Sequence, residues 1–115
     1  MQYLLLIYAE EGPWDALSEA ERQKIYQGYR ELREDLQKTE KFKGGNQLQP
    51  IAAASTVRVR NGKKTVTDGP FAETKEQLAG YFLVDAKDLD DALAIAARIP
   101  SVHTGSVEVR PVVAR

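Results

Sequence analysis

Two stretches of the chain are apolar without a break: Tyr3 to Tyr8 (YLLLIY) and Tyr81 to Val84 (YFLV). Side chains alternate across a strand, so the first run sends Tyr3, Leu5 and Ile7 to one face and Leu4, Leu6 and Tyr8 to the other. A run that is apolar on both faces reads as a central strand. Between them, Ser18-Glu19-Ala20-Glu21 has the form of a capping box, with Ile25, Tyr29, Leu32 and Leu36 following at helical spacing and Tyr26 beside them. This predicts an amphipathic helix over roughly residues 19–39. Gly28 inside it costs about 1 kcal/mol relative to alanine, which a close backbone approach would explain. Glu10 to Asp15 reads as a polar loop in which Trp14 anchors the rim.

Lys43-Gly44-Gly45-Asn46 breaks the pattern, and Gln47 to Ala54, with Pro50, reads as a ragged edge strand followed by a loop. Thr56 to Thr67 (TVRVR-NG-KKTVT) is a hairpin signal, because Asn61-Gly62 suits a type I′ turn. Its register puts Val57, Val59, Lys64 and Val66 on one face, and Arg58, Arg60, Lys63, Thr65 and Thr67 on the other. Asp68-Gly69-Pro70 forms a rigid corner leading towards the second apolar run. Asp88 caps a second helix whose apolar face is Leu89, Ala92, Leu93, Ala96 and Ile99, with Arg98 in its last turn and Pro100 as its end. Ser106 to Val113 alternates, and Pro111 marks it as an edge strand.

Strand, helix, strand, hairpin, strand, helix, strand is the order of an α+β ferredoxin-like βαββαβ sandwich with an extra β-hairpin. In that layout the two doubly apolar runs fall in the middle of the sheet. Both helices cover one face, and the other would expose a larger apolar patch than monomers tolerate. The expectation is a homodimer with sheets packed face to face, a dimeric α/β barrel.

Composition narrows the chemistry. A chain of 115 residues is expected to form one domain spanning 1–115. A net charge of −1 gives no reason to expect nucleic acid as partner. The absence of cysteine removes disulfides and thiolate chemistry and suits a cytoplasmic protein. The N-terminal apolar run is too short for a membrane span. No HExxH or CxxC spacing, GxGxxG, Walker loop or GxSxG elbow occurs, so no metal and no cofactor is expected.

The stretch Asp68-Gly69-Pro70-Phe71-Ala72-Glu73-Thr74-Lys75-Glu76 resembles the signature of the DGPF-type branch of the YCII-related family. Thr56 to Arg60, Leu78-Ala79-Gly80-Tyr81 and Gly105-Ser106-Val107-Glu108-Val109-Arg110-Pro111 extend the likeness over nearly the whole chain. The resemblance implies a ferredoxin-like dimeric α/β barrel and supplies no reaction. It also implies a link, by gene context, to alternative sigma factors. The YCII branch proper has been proposed to use a histidine and an aspartate as an active pair. This chain departs from it: its only histidine, His103, precedes the last strand, so that role is not carried over.

Asp68 sits on a signature position. It reads either as an Asx-turn residue or as a catalytic carboxylate, raised in pKa by partial burial at the mouth of a cleft between sheet and helices. Arg58, Glu73, Lys75 and Tyr81 are the accompanying ligand-binding candidates. Two functions follow. One is a cofactor-independent small-molecule binder or enzyme, with a pocket between sheet and first helix lined by Asp68, Arg58 and Tyr81. The other is a non-catalytic regulatory module docking on a sigma-factor-linked partner through the basic hairpin face.

Overall fold

A computed structural model describes residues 1–115. The elements run β1 (Gln2–Ala9), α1 (Glu11–Asp15), α2 (Glu19–Lys38), β2 (Phe42–Gln47), β3 (Ser55–Arg60), β4 (Lys63–Asp68), β5 (Gln77–Asp85), α3 (Leu89–Ala96) and β6 (Ser106–Pro111). Short 3-10 turns at Ile51–Ala53 and Pro100–His103 complete the order. The main sheet is antiparallel in the order β2-β5-β1-β6, so the two doubly apolar strands are central, as in a ferredoxin-like α+β fold. β3 and β4 form a separate two-stranded sheet. No helix is long and apolar enough to cross a membrane.

Tyr3, Leu5 and Ile7 of β1 and Phe82 and Val84 of β5 are buried against Leu32 and Leu36 of α2 and Ala92, Ile95 and Ala96 of α3. The capping box forms in both directions between Ser18 and Glu21. Gly28 faces Pro100, whose ring would lie 3.0 Å from an added Cβ, so the close approach expected there is made to the turn after α3. The hairpin register matches the pattern, with Val57 opposite Val66 and Arg60 opposite Lys63, and Asn61 and Gly62 both take positive φ.

Three local expectations are corrected. Glu11–Asp15 is a helical turn rather than a loop. The edge strand is Phe42–Gln47, continuing through the two glycines with a register shift between Phe42 and Gly44, and not Gln47 onwards. Gly45 sits opposite Phe82, where a Cβ would come within 2.6 Å of the ring, so the residue that reads as a breaker is what admits the aromatic core. On α3 the buried stripe is Ala92, Ile95 and Ala96, continuing to Ile99, whereas Leu89 and Leu93 are 49% and 46% exposed. Alanines let the helix lie close to the sheet, and that turns the two leucines to its flank.

The opposite face of the sheet is not covered by any element. There Leu4, Leu6 and Tyr8 stand opposite Leu83, Tyr81 and Leu78. β6 adds Arg110, Glu108 and Ser106 along its side. The molecule is flat, 47 × 43 × 19 Å. Its radius of gyration of 16.0 Å exceeds the roughly 13 Å of a compact chain this long. Its accessible surface of 8114 Å² exceeds the roughly 6,300 Å² expected for a 12.8 kDa monomer.

An ion pair ties α3 to the chain after α2. Asp91 accepts from the Lys87 backbone N–H at 2.9 Å and from Lys41 Nζ at 2.9 and 3.0 Å. The backbone bond first, and the lysine second, hold its carboxyl below the usual range. A depressed carboxyl pKa adds stability above the unfolded value, about 3.9, which is lost as pH falls through the folded value. The unfolding free energies of wild type and Asp91→Asn should therefore differ by a constant amount near neutrality and converge below about pH 4. A gap unchanged down to about pH 2 would show that the ion pair contributes nothing.

Candidate functional site

A cavity of about 260 Å³ opens between α2 and the end of the sheet where β1 finishes and β5 begins. It is close to the lower bound of small-molecule sites, roughly 300–1,000 Å³. The core-facing period of β1 and β5 supplies its floor, Ile7 and Phe82. The helical period of α2 brings Ile25, Tyr26 and Tyr29 over it. Tyr29 stands edge-on to Phe82 at 6.0 Å between ring centroids. Trp14 of α1 stands edge-on to Tyr26 at 5.5 Å.

A helix as short as α1 does not hold itself together in water, and two side chains secure it. The Arg22 guanidinium donates to the Trp14 carbonyl at 3.1 and 3.3 Å and to the Asp15 carbonyl at 3.0 Å, and it lies 5.4 Å from the Trp14 ring centre. The Glu11 carboxylate accepts the Ile51 N–H at 2.7 Å, which ties α1 to the turn before the hairpin. On the cavity wall, Tyr29 Oη and Ser101 Oγ lie 2.6 Å apart. Burial raises the phenol pKa and outweighs the lowering by hydrogen bonds to Ser101, so Tyr29 is a neutral hydrogen-bonding group at physiological pH. The charged members of the wall, Glu10, Glu11, Asp15 and Arg33, are only half-buried or exposed. This combination of ring walls, a neutral hydroxyl pair and charges at the periphery suits a small, partly apolar molecule. No group of three or more His, Asp or Glu side chains is placed to hold a metal.

The residues expected from the sequence lie elsewhere. Asp68 ends β4, exposed, and its carboxylate accepts no hydrogen bond. The corner is held instead by Thr56 Oγ1 donating to the Gly69 carbonyl at 2.8 Å and the Gly69 N–H donating to Ala54 at 2.8 Å. Arg58, on β3, reaches the Phe71 carbonyl at 3.5 Å. Glu73 is exposed in the segment before β5. Lys75 Nζ lies 3.6 Å from Glu10, which belongs to the cavity wall. Tyr81 points to the uncovered sheet face and accepts from Asn46 Nδ2 at 3.0 Å. Its neighbour Phe82 takes the helix side, and alternation then sends Tyr81 to the other. Arg58, Asp68 and Glu73 are not brought to the cavity, and His103 is exposed on the turn after α3.

Reasoning from the sequence alone missed Trp14, Tyr26, Tyr29 and Ser101 as site residues. The available signal was two tyrosines on adjacent ridges of one helix stripe; Ser101 gave none.

Comparison with known proteins gives a family but no activity. Residues 1–114 match the YCII-related domain. An uncharacterized protein of Rhizobium meliloti (strain 1021) is 38% identical over 113 residues, covering 96% of this chain and 91% of that protein.

Tyr29→Phe leaves the Ser101 hydroxyl without its partner, and should lower unfolding free energy by about 1–2 kcal/mol, measured by urea denaturation. A variant as stable as wild type would mean that water replaces the bond at no cost.

Proposed function

The chain belongs to the YCII-related family, and we propose that it is a homodimeric small-molecule binder or cofactor-independent enzyme of the DGPF-type branch, acting in the cytoplasm. The ligand site is the cavity between sheet and α2. The observation that carries this is the character of that wall. Trp14, Tyr26, Tyr29 and Phe82 surround a neutral hydroxyl pair, and the charged groups stay at the periphery. Such a site binds a ring-bearing or aliphatic molecule through area and orients it by one or two hydrogen bonds.

The dimer is supported by surface area. The chain exposes about 1,800 Å² more than a monomer of its mass, and obligate dimers bury roughly 1,000–2,500 Å² per subunit. At about 25 cal/mol per Å², the apolar part of such an interface contributes on the order of 10 kcal/mol or more before association costs. In this arrangement Tyr81 lies at the interface between sheets. Of the remaining sequence candidates, Lys75 stands beside the cavity wall, 3.6 Å from Glu10, whereas Asp68, Arg58 and Glu73 lie outside it on the hairpin and the segment before β5.

The alternative is a non-catalytic module docking on a sigma-factor-linked regulatory partner. Its support is the hairpin, basic on one face and solvent-exposed along most of its length. The two readings separate on the cavity. In a titration with small aromatic fragments, amide NMR shifts should move at Trp14, Tyr26 and Tyr29, and Ile25→Trp, which fills the cavity, should abolish them while preserving the remaining spectrum. Absence of any response in the wild type, or an undiminished response in Ile25→Trp, would overturn the small-molecule reading.

A further inference from the structure

The hairpin β3–β4 has no surface of its own to lie on. Val57, Val59 and Val66 share one face and are 59%, 58% and 59% exposed. Apart from Arg58 reaching Phe71, no side chain from Val57 to Val66 hydrogen-bonds outside the hairpin. An isolated two-stranded hairpin is marginal in water, and three valines on one face form an apolar strip without a neighbour. The strip does not fold back on its own body, which is why the molecule is wider than a compact chain of this length.

Charge indicates what covers it. Ser55 to Thr67 holds four of the sixteen basic side chains (Arg58, Arg60, Lys63 and Lys64) and none of the seventeen acidic ones. The hairpin is therefore +4. The rest of the chain, with twelve basic and seventeen acidic side chains, is −5. A basic arm on an acidic body is complementary to another copy of the same molecule. In the proposed dimer the sheet face bearing Leu4, Leu6 and Leu83 is taken up by the facing sheet, so the arm lies on the body outside that face.

We propose that the hairpin is an intersubunit arm, docking on the body of the second copy with its valine face and Lys64 inward, while Arg58, Arg60 and Lys63 on its outer face lie close enough to the acidic body to attract it at low salt. This rests on the homodimer proposed above, and the experiment separates the two. Sedimentation would be run on wild type, on Val57→Thr/Val59→Thr/Val66→Thr, which keeps charge and strand propensity, on Arg60→Glu/Lys63→Glu/Lys64→Glu, and on Leu6→Lys. Circular dichroism would confirm that each variant is folded. The threonine variant should weaken dimerisation by at least about a hundredfold. Added salt should weaken the wild-type dimer and leave the charge-reversed variant unweakened or strengthened. Leu6→Lys should be monomeric through loss of the sheet contact alone. Wild-type affinity in both arm variants, with Leu6→Lys monomeric, would overturn the arm and leave the sheet-to-sheet dimer standing. A monomeric wild type would overturn both. Arm variants that dimerise normally but lose binding to a separate acidic protein would assign the arm to that partner and overturn its docking on a second copy.

Discussion

The pairing of β1 with β5 is the contact on which the other elements lean. Its register sets Leu5 beside Phe82 and Tyr3 beside Val84 on one face, and Leu4 beside Leu83 and Leu6 beside Tyr81 on the other. A central pair that is apolar on both faces requires two covers. The chain's own helices supply one, through Leu32 and Leu36 of α2 and the alanine-rich face of α3. The other face keeps its row of leucines and tyrosines at the surface, and this asymmetry accounts for the flat shape and the large accessible area.

The cavity follows from the same pairing. Where β1 and β5 slip in register between Ile7 and Tyr8, the strands end unevenly beneath the N-terminal half of α2. Rings from the short helix before α2 and from α2 itself close most of the gap, and the remainder is the pocket. The charged side chains of that wall stand at its rim, and burial moves the Tyr29 phenol away from ionisation. The wall offers shape and one hydroxyl pair, and the family match brings no assigned reaction.

The sheet order was legible because Tyr3 to Tyr8 and Tyr81 to Val84 are apolar without a break, which makes both faces of each strand apolar and so places both strands in the middle of the sheet. The hairpin register was legible because Asn61-Gly62 allows essentially one turn. The path of β2 was not, since Gly44 and Gly45 read locally as breakers and only the Phe82 ring across the sheet shows why a glycine is needed at position 45; around Gly44 there is open space. The site was the least legible part. The eye goes to the charged signature around Asp68, while the cavity is built from Trp14, Tyr26, Tyr29 and Ser101, which are ordinary core or loop residues until α1 and the turn at Pro100–His103 are in place. Tertiary packing, which no local pattern encodes, decides which side chains line the space between the sheet and α2.

The uncovered sheet face makes one demand that can be measured directly: the solution mass of the wild-type protein at micromolar concentration. Sedimentation equilibrium should return twice the chain mass of 12.8 kDa, with the Tyr8 and Tyr81 rings protected from solvent. A species of 12.8 kDa across the same range, with those tyrosines freely accessible, would contradict the reading of this face as one that a second subunit must cover.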